Sequence, residues 1–454
     1  MSATGQRQWQ NASVSSFAGR ADPIALMLKR ASAVALDAMQ QGWSGPPFDP
    51  FALADLLHIN VVPNSEVLDA RTIPLKGNRV QIEYNPNQAR ARIRYSVAHE
   101  IAHTFFPDCA ERVRNRAARQ DYAENEWELE MLCNLGAAEM LMPTGSLGDL
   151  KDKELSLREV LDLRKRFEVS TESVLLRLIR VTQQPYVLFV ASRPSQSSDR
   201  YRVDYSLSSR AASNRLASNA LLPKQTVVGA CTARGYTAMA DEEWPGLGKV
   251  HLECVGISPY PESVYPRVIG LLRPSNATSH REGGIQFITG DATAPCGSGT
   301  RILAHVVNDA TPNWGAGFGR LVQQKWPLVQ QAFRESWFSS SRKHLGDTFF
   351  SEAETGLSIC QMVCQHGYGA SERPRIRYAA LRDCLLSLRD TALDEKASVH
   401  MPRVGTGEAG GSWTLISALI DEVLCAAGLS VTIYDLPVSR KRLPVQRGLF
   451  DKAP

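Results

Sequence analysis

The feature that most constrains the fold is a regular alternation of apolar runs and amphipathic segments over residues 284–436. Five short apolar runs have the length of strands, and three of the intervening segments have the spacing of apolar residues that helices show. Strands that alternate with helices form a sheet covered by helices on both faces. The sequence therefore predicts a C-terminal α/β domain.

The preceding residues divide into two further regions with different patterns. Residues 22–182 hold several segments of helical periodicity and two short strands, which predicts a mostly helical domain. Residues 185–275 hold β-like runs separated by Ser, Pro and Gly, which predicts a small β-rich middle domain. Residues 1–21 are polar and are predicted to be disordered, and residues 437–454 form a basic tail. The predicted fold class is therefore multidomain, α+β followed by α/β.

Composition excludes several classes of protein. A chain of 454 residues with 43% hydrophobic and 22% charged residues is typical of globular proteins with two or three domains. The net charge of +4 gives no indication of nucleic-acid binding. The N-terminus has no apolar core, so no secretory signal is predicted. No run approaches eighteen apolar residues, so no membrane span is predicted.

The cysteines also bear on the compartment. There are nine of them, an odd number, and they are scattered without a CxxC pair. That pattern fits reduced thiols rather than a disulfide framework, so we expect a cytoplasmic protein.

The strongest chemical motif is His99-Glu100-Ile101-Ala102-His103, an HExxH sequence. On a helix, residues four apart lie one turn apart on the same face, so both imidazoles can reach one metal ion. Glu100 lies beside that metal, where its carboxylate can take a proton from water. The motif predicts a zinc-dependent hydrolase with Glu100 as the general base.

A catalytic zinc ion needs a third protein ligand. The next predicted helix offers Glu126, Glu128 and Glu130. Glu130 falls on the apolar face with Cys133, whereas Glu128 points elsewhere. A carboxylate on a buried face is costly unless it is paired or binds a metal, which favours Glu130 and leaves Glu126 as the alternative.

These motifs resemble the ImmA/IrrE family of zinc metallopeptidases over residues 22–182. The resemblance rests on "YSVAHEIAHTFF" followed by "ELEMLCNLGAAEMLMP", in which Glu130 and Asn134 match and Cys133 stands where alanine is usual. It implies a zincin-like domain with Zn²⁺ held by His99, His103 and Glu130. It also implies cleavage of a peptide bond in a protein partner such as a repressor.

The C-terminal region carries three polar or glycine-rich clusters that fall at predicted strand ends. Ligands of open α/β sheets gather at such ends, and glycines let backbone amides approach a diphosphate. Two glycine-rich loops in corresponding positions, with an aspartate nearby, are stronger evidence than one loop. The clusters are Asp291 and Ala292; Asn308 and Asp309 with Gly315, Ala316, Gly317 and Phe318; and Gly405, Thr406, Gly407, Glu408, Ala409 and Gly410.

In order along the chain, these clusters resemble a macro domain, the family that handles ADP-ribose. The matching segments are "FITGDAT", "ILAHVVND", "WGAGF", "MPRVGTGEAGG" and "VTIYD". The resemblance implies that Asp291 meets the adenine, that the two glycine-rich loops wrap the diphosphate, and that Tyr434 lies near the adenine or its ribose. Asn308 and Asp309 would lie near the distal ribose.

The combination predicts a zinc endopeptidase that cleaves a protein partner, such as a repressor or toxin regulator, in a stress or phage-defence response. The macro domain would regulate or target it by binding an ADP-ribose-like nucleotide or an ADP-ribosylated protein. The alternative puts the enzyme in the macro domain, as an ADP-ribosyl hydrolase or an ADP-ribose phosphate phosphatase. The lysine–aspartate pair of hydrolytic relatives is missing, but Glu408, His366 and Asp309 stay open as acid–base groups.

Overall fold

The computed structural model describes most of the chain. It covers residues 9, 11–77, 79–110, 114–115, 126–147, 150, 153–193, 198–212, 216–217, 219–259, 264–274, 284–339, 344–369, 371 and 373–435. The predicted basic tail, 437–454, lies outside these residues. Within them, every helix is too short or too polar to cross a membrane.

The N-terminal region combines helices with one small mixed sheet. Its strands lie in the order β1-β3-β2-β4, with β1 parallel to β3 and the other pairs antiparallel. The helices are α1 (Ala12–Ala18), α2 (Pro23–Gln40), α3 (Pro50–Leu56), α4 (Arg90–His103), α5 (Glu126–Leu141), α6 (Leu157–Phe167) and α7 (Thr171–Val181). The strands are β1 (Asn60–Pro63), β2 (Ala70–Leu75), β3 (Arg79–Tyr84) and β4 (Arg114–Asn115).

One prediction for this region is wrong. Residues 12–18 belong to the segment predicted to be disordered, yet they form α1. The Asn11 side chain caps the helix by accepting a hydrogen bond from the Val14 amide, and Phe17 packs against Phe106 at 4.7 Å between ring centroids. Val14, Phe17 and Ala18 are buried, and the Ser13 hydroxyl donates a hydrogen bond to Asp108, so packing and hydrogen bonds hold this short, largely polar segment in place.

The middle region forms a five-stranded antiparallel sheet in the order β6-β5-β9-β8-β7. Its strands are β5 (Val187–Ser192), β6 (Arg202–Ser208), β7 (Thr237–Trp244), β8 (Gly248–Ile257) and β9 (Arg267–Pro274). The β-like run at 226–233 is a short 3₁₀ turn rather than a strand. Leu188, Val190 and Ile269 share one apolar core with the N-terminal helices, so the predicted boundary near residue 182 does not separate two cores.

The C-terminal region is the predicted α/β domain. Its six-stranded sheet has the order β10-β15-β14-β11-β13-β12, with only the edge strand β12 antiparallel. The strands are β10 (Gly284–Thr289), β11 (Arg301–Asn308), β12 (Thr348–Glu354), β13 (Leu357–Gln365), β14 (Ser398–Pro402) and β15 (Ser430–Asp435). The helices are α8 (Gly317–Lys325), α9 (Pro327–Ser339), α10 (Tyr378–Asp394) and α11 (Trp413–Val423).

Helices cover both faces of this sheet, as the sequence predicts. The α8–α9 pair, expected as one helix, is interrupted at Trp326 because Pro327 lacks the amide hydrogen that a continuous helix needs. The core beneath α10 and α11 contains Leu36 of α2, which is fully buried there. The N-terminal region therefore contributes a side chain to the core of the C-terminal domain.

Candidate functional sites

The HExxH motif lies at the end of α4, in the buried middle of the N-terminal region. His99 and His103 are one helical turn apart and are at most 1% exposed. Their Nε2 atoms are 3.1 Å from each other, so both imidazoles present the same ring nitrogen to one point. This confirms the geometric expectation from the i, i+4 spacing.

Helix α5 brings one glutamate to that point. The Glu130 carboxylate oxygens lie 3.0 Å from His99 Nε2 and 3.3 Å from His103 Nε2. The alternative, Glu126, is exposed at the start of the helix, and Glu128 is buried elsewhere and accepts a hydrogen bond from the Asn11 amide. Of the three glutamates, the structure places Glu130 alone against both histidines.

The opposite ring nitrogens have partners of their own. His99 Nδ1 is 2.9 Å from Asn134 Oδ1, which also accepts a hydrogen bond from the Tyr95 hydroxyl. His103 Nδ1 is 3.4 Å from the Cys133 sulfur. Partners at Nδ1 fix the orientation of each ring and leave Nε2 available for a metal.

Two sets of residues could hold a metal here. Donor atoms of His99, His103 and Cys133 lie within 4.8 Å of one another. The Cys133 sulfur, however, lies on the Nδ1 side of His103, away from the nitrogen that meets His99 and Glu130. Two imidazole Nε2 atoms and one carboxylate are a ligand set that catalytic zinc uses, so His99, His103 and Glu130 fit the ion better.

The charges of the site favour an anionic Glu130. Burial alone would raise the pKa of this carboxyl group, but His99 and His103 lower it well below the usual 4.5. Burial raises the pKa of the Cys133 thiol above 9.0. An ionised Glu130 carboxylate would bind a metal without first losing a proton, because metals bind the deprotonated group.

Glu100 is fully buried next to the histidines. The Thr72 hydroxyl on β2 donates a hydrogen bond of 2.7 Å to Glu100 Oε2, whereas Oε1 has no partner among the described residues. A buried carboxylate oxygen without a partner is costly unless a ligand or water meets it. The sequence did not reveal Thr72, because its strand carries no motif and its contact with Glu100, 28 residues further on, depends on how β2 lies against α4.

The second candidate site is the edge of the C-terminal sheet where the parallel strands end. The turn at Asp291 follows β10, Asn308 ends β11, His366 follows β13 and the loop 405–411 follows β14. Since β10, β15, β14, β11 and β13 are parallel neighbours, these segments emerge at the same edge. Such an edge is where open α/β sheets bind ligands.

Asp291 and Tyr434 differ in their exposure at this edge. Asp291 is exposed, and its carboxylate accepts hydrogen bonds from the Thr293 amide and hydroxyl at 2.8 and 2.9 Å. Tyr434 is 4% exposed, and its hydroxyl accepts from the Cys296 amide at 2.8 Å. Burial raises the Tyr434 pKa to about 12. Tyr434 is therefore a core residue that supports the 291–296 turn, and its place near an adenine or its ribose stays a prediction.

Asn308 and Asp309 lie in a network of hydrogen bonds. Asn308 Oδ1 accepts from the amides of Ala310 and Thr311. Asp309 accepts from His366 Nδ1 at 2.8 Å and from the Gly367 amide at 2.9 Å. Burial alone would raise the pKa of Asp309, but these two donors lower it. The exposed imidazole of His366 is thus oriented by an ionised carboxylate.

The two glycine-rich loops present backbone at the same edge. Gly315, Ala316 and Gly317 are exposed, and Ala316 begins α8 without a side-chain cap; Ser412 begins α11 in the same way. Uncapped helix amides can bind an anion. Phe318 packs edge-on against His305, and Ala292 is buried, so both support the loops from below.

Hydrogen bonds to neighbouring segments hold the second glycine-rich loop, residues 405–411, in place. The Ala409 carbonyl accepts hydrogen bonds from the amides of Arg375 and Ile376, and the Thr406 hydroxyl donates to the Arg403 carbonyl at 2.8 Å. Gly405 and Gly410 have positive φ of 72° and 67°, which favours glycine. Gly407 and Glu408 stay exposed at the tip of the loop.

Comparison with known proteins finds relatives of both the N-terminal and the C-terminal region. Residues 60–179 match the family model described as the IrrE N-terminal-like domain, Peptidase_M78. The radiation response metalloprotease IrrE of Deinococcus deserti is 29% identical over 109 residues, which are 24% of this chain and 39% of that protein.

Two relatives match the C-terminal region. A macrodomain protein from Streptomyces coelicolor is 36% identical, with 34% of this chain covering 99% of that one at a TM-score of 0.30. The mouse chromodomain-helicase-DNA-binding protein 1-like is 27% identical over 166 residues, 35% of this chain. The chain spans only 18% of that mouse protein. On the identity to the macrodomain protein, the chain belongs to the macrodomain family through its C-terminal region, and its residues 60–179 are similar to the IrrE N-terminal-like domain.

Proposed function

We propose that the chain is a zinc-dependent endopeptidase whose activity is regulated or targeted by a macrodomain that binds ADP-ribose or a related nucleotide. The observation that carries the proposal is the convergence of His99 Nε2, His103 Nε2 and the Glu130 carboxylate within 3.3 Å, with Glu100 beside them. The substrate would be a protein partner, such as a repressor or toxin regulator, in a stress or phage-defence response.

In this proposal His99, His103 and Glu130 hold the ion, and Glu100 handles the proton. Zinc, when bound, lowers the pKa of water and polarises the carbonyl of the scissile peptide. Glu100 takes the proton of the attacking water at Oε1, the oxygen that has no other partner, and later passes it to the leaving amine. The hydrogen bond from the Thr72 hydroxyl to Oε2 fixes the orientation of the carboxylate and so the position of Oε1.

The nucleotide proposal rests on backbone groups. The uncapped first turns of α8 and α11 and the two glycine-rich loops offer amides and positive potential to a diphosphate. The Asp291 carboxylate is exposed at the end of β10, where it could accept a hydrogen bond from an adenine amino group. ADP-ribose combines these two features in one molecule.

A second candidate function is favoured by the pair of Asp309 and His366. An imidazole whose Nδ1 is held by a carboxylate is a general base in many hydrolases. The macrodomain would then release an ADP-ribosyl group or a phosphate, and the N-terminal region would direct it to its target. Loss of that release in His366→Ala, with ADP-ribose binding intact, would support this candidate.

The zinc proposal is tested by metal analysis of the purified full chain. We expect about one zinc ion per chain in the unaltered protein, and loss of the metal in Glu130→Ala and in His103→Ala. Glu126→Ala, on the same helix but exposed, is the matched control and should keep its zinc. Full zinc occupancy in His103→Ala would refute the ligand set.

The nucleotide proposal is tested by calorimetry with ADP-ribose on the full chain. We expect saturable binding that Asp291→Ala weakens roughly tenfold or more, because a hydrogen bond to a charged acceptor is worth about 1.5–3 kcal/mol. No heat with ADP-ribose or with its phosphate would remove the nucleotide function.

A further inference from the structure

The Peptidase_M78 region and the macrodomain meet through a buried network of charges. Arg177 of α7 is 5% exposed and lies 3.4 Å from Glu139 of α5 and 3.4 Å from Glu422 of α11. The guanidinium also donates to the Met142 carbonyl at 2.8 Å. Separating α11 from α7 would take Glu422 away from a buried guanidinium and break a partly buried ion pair, which costs free energy.

Neighbouring contacts extend the same joint. The Thr144 hydroxyl donates to Glu422 Oε2 at 3.0 Å, so both carboxylate oxygens of Glu422 bind the peptidase region. A Cβ atom on Gly145 would lie 3.4 Å from Leu415 and from Ala418. The segment that follows α5 therefore lies directly along α11.

Two of the three helices of this joint, α5 and α11, run from one of the two candidate sites to Arg177 of α7. Helix α11 starts after the loop 405–411 and carries Glu422 about nine residues, or about 13 Å, further on. Helix α5 carries Glu130 in its first half and Glu139 about 13 Å further on. The two helices are joined at their far ends by Arg177.

Helix α2 makes a second connection between the loop 405–411 and α5. The side-chain amide of Gln40 donates a hydrogen bond to the Ile376 carbonyl. The Ile376 side chain in turn packs against the loop, since a Cβ atom built on Gly405 or Gly411 would lie 3.0 Å from it. Near its start, Met27 and Ala102 of α4 both lie about 3 Å from the Cβ position of Gly136 on α5. The loop 405–411 thus rests on a residue that α2 holds.

We propose that Arg177 and Glu422 form the joint through which occupancy of the loop 405–411 changes the position of α5 and so of Glu130. The proposal rests on the proposed function, since it assigns the regulation of the same zinc site to a physical contact. A ligand that draws the loop towards itself moves the start of α11. Because packed helices shift as rigid bodies, the displacement reaches α5 through Glu422 and Glu139. Glu422 and Arg177 are positioning residues in this scheme, because neither touches the ion or the nucleotide.

The test measures hydrogen exchange of the zinc-loaded full chain with and without ADP-ribose. We expect slower exchange in the loop 405–411 and, in addition, a change of at least about fivefold in the exchange of α5. In Glu422→Gln the loop should still respond and the ADP-ribose affinity should stay the same, but the response of α5 should vanish. If Glu422→Gln fails to fold, Thr144→Val takes its place in the test. This variant removes one contact with Glu422 and no charge, and it should reduce the response of α5.

Asp390→Asn is the matched control, because Asp390 lies on the outer surface of the macrodomain and pairs only with Arg389 among the described ion pairs. It should leave the response of α5 intact. A loop that responds while α5 does not would overturn the joint and leave the nucleotide function standing. Absence of any response in the loop would refute the nucleotide function and the joint together, and an undiminished α5 response in Glu422→Gln would overturn the assigned route.

Discussion

The candidate metal site and the candidate ligand site of the macrodomain are built in opposite ways. At the candidate metal site every candidate group is a buried side chain, and each histidine contacts two others: His99 meets Glu130 and Asn134, and His103 meets Glu130 and Cys133. At the macrodomain edge the main candidates are exposed backbone amides in two glycine-rich loops and two uncapped helix starts.

The difference predicts how each site fails. A site of interlocked side chains should lose its function when one atom is changed, because no other group can take its place. A site of backbone amides should still bind its ligand after many side-chain replacements. It should lose binding when a side chain is added to one of its glycines. The predictions below test that contrast.

The largest effect is expected for Glu100→Gln. The change keeps the size of the side chain and the hydrogen bond from Thr72 but removes the base, so cleavage should fall by about 10²–10⁴-fold while zinc stays bound. Rates on a protein substrate and the zinc content are the measurements. A variant that cleaves at the normal rate would exclude Glu100 as the base.

Gly317→Glu should abolish ADP-ribose binding, a loss of about a hundredfold or more. Gly317 has a φ of 59° in the first turn of α8, where a side chain adds strain and a carboxylate repels phosphate. Gly428→Glu is the control, since Gly428 has a φ of 86° and open space around it but precedes β15 at the other edge of the sheet. Equal affinities of the two variants would place the ligand elsewhere.

Stability should fall as the pH drops from about 6.5 to about 4. Burial lowers the pKa of His305 to about 4, so in this range the unfolded chain binds a proton that the folded chain does not. The full stability is present above pH 6.5, and about 3 kcal/mol is lost by pH 4. Denaturant titrations at several pH values measure the free energy of unfolding. In His305→Gln this free energy should fall less steeply between pH 6.5 and pH 4 than in the unaltered protein.

Some pH dependence should remain in that variant, because burial also lowers the pKa of His400 to about 4. His344→Gln, which replaces an exposed histidine, should show the same dependence of the free energy of unfolding on pH as the unaltered protein. An unchanged dependence on pH in His305→Gln would show that His305 does not titrate below its ordinary range.

The smallest effect is expected for Asn134→Ala. Loss of the acceptor at His99 Nδ1 leaves the ring free to turn, and zinc affinity should fall by roughly 10–100-fold. Asn134→Asp, which keeps an acceptor oxygen, should lose less. Competition with a metal chelator measures both. An unchanged affinity would mean that packing alone orients the imidazole.

Local patterns predicted the parts of the sites that depend on one helix. The i, i+4 spacing placed His99 and His103 together, and the apolar face of α5 selected Glu130 over Glu126, because both follow from helix geometry. Thr72 could not be found in this way. Its contact with Glu100 depends on how β2 lies against α4, which no local pattern specifies.

Burial caused the other differences. The polar composition of residues 11–20 hides the buried side chains, Val14, Phe17 and Ala18, with which α1 packs against the N-terminal core. Tyr434 follows Val431, Thr432 and Ile433 in β15, and the sequence does not reveal that its hydroxyl accepts a hydrogen bond from the Cys296 amide. In both cases the missing information is the surface against which the segment packs.

The middle sheet has a consequence for how the protein loses its structure. One face of this sheet belongs to the core of the N-terminal region, and the other face covers a separate core that includes Phe189 and Val203. An apolar layer with neighbours on both sides cannot lose one of them without exposing a whole face to water. The N-terminal region and the sheet should therefore unfold in one cooperative transition, and a fragment cut near residue 182 should aggregate.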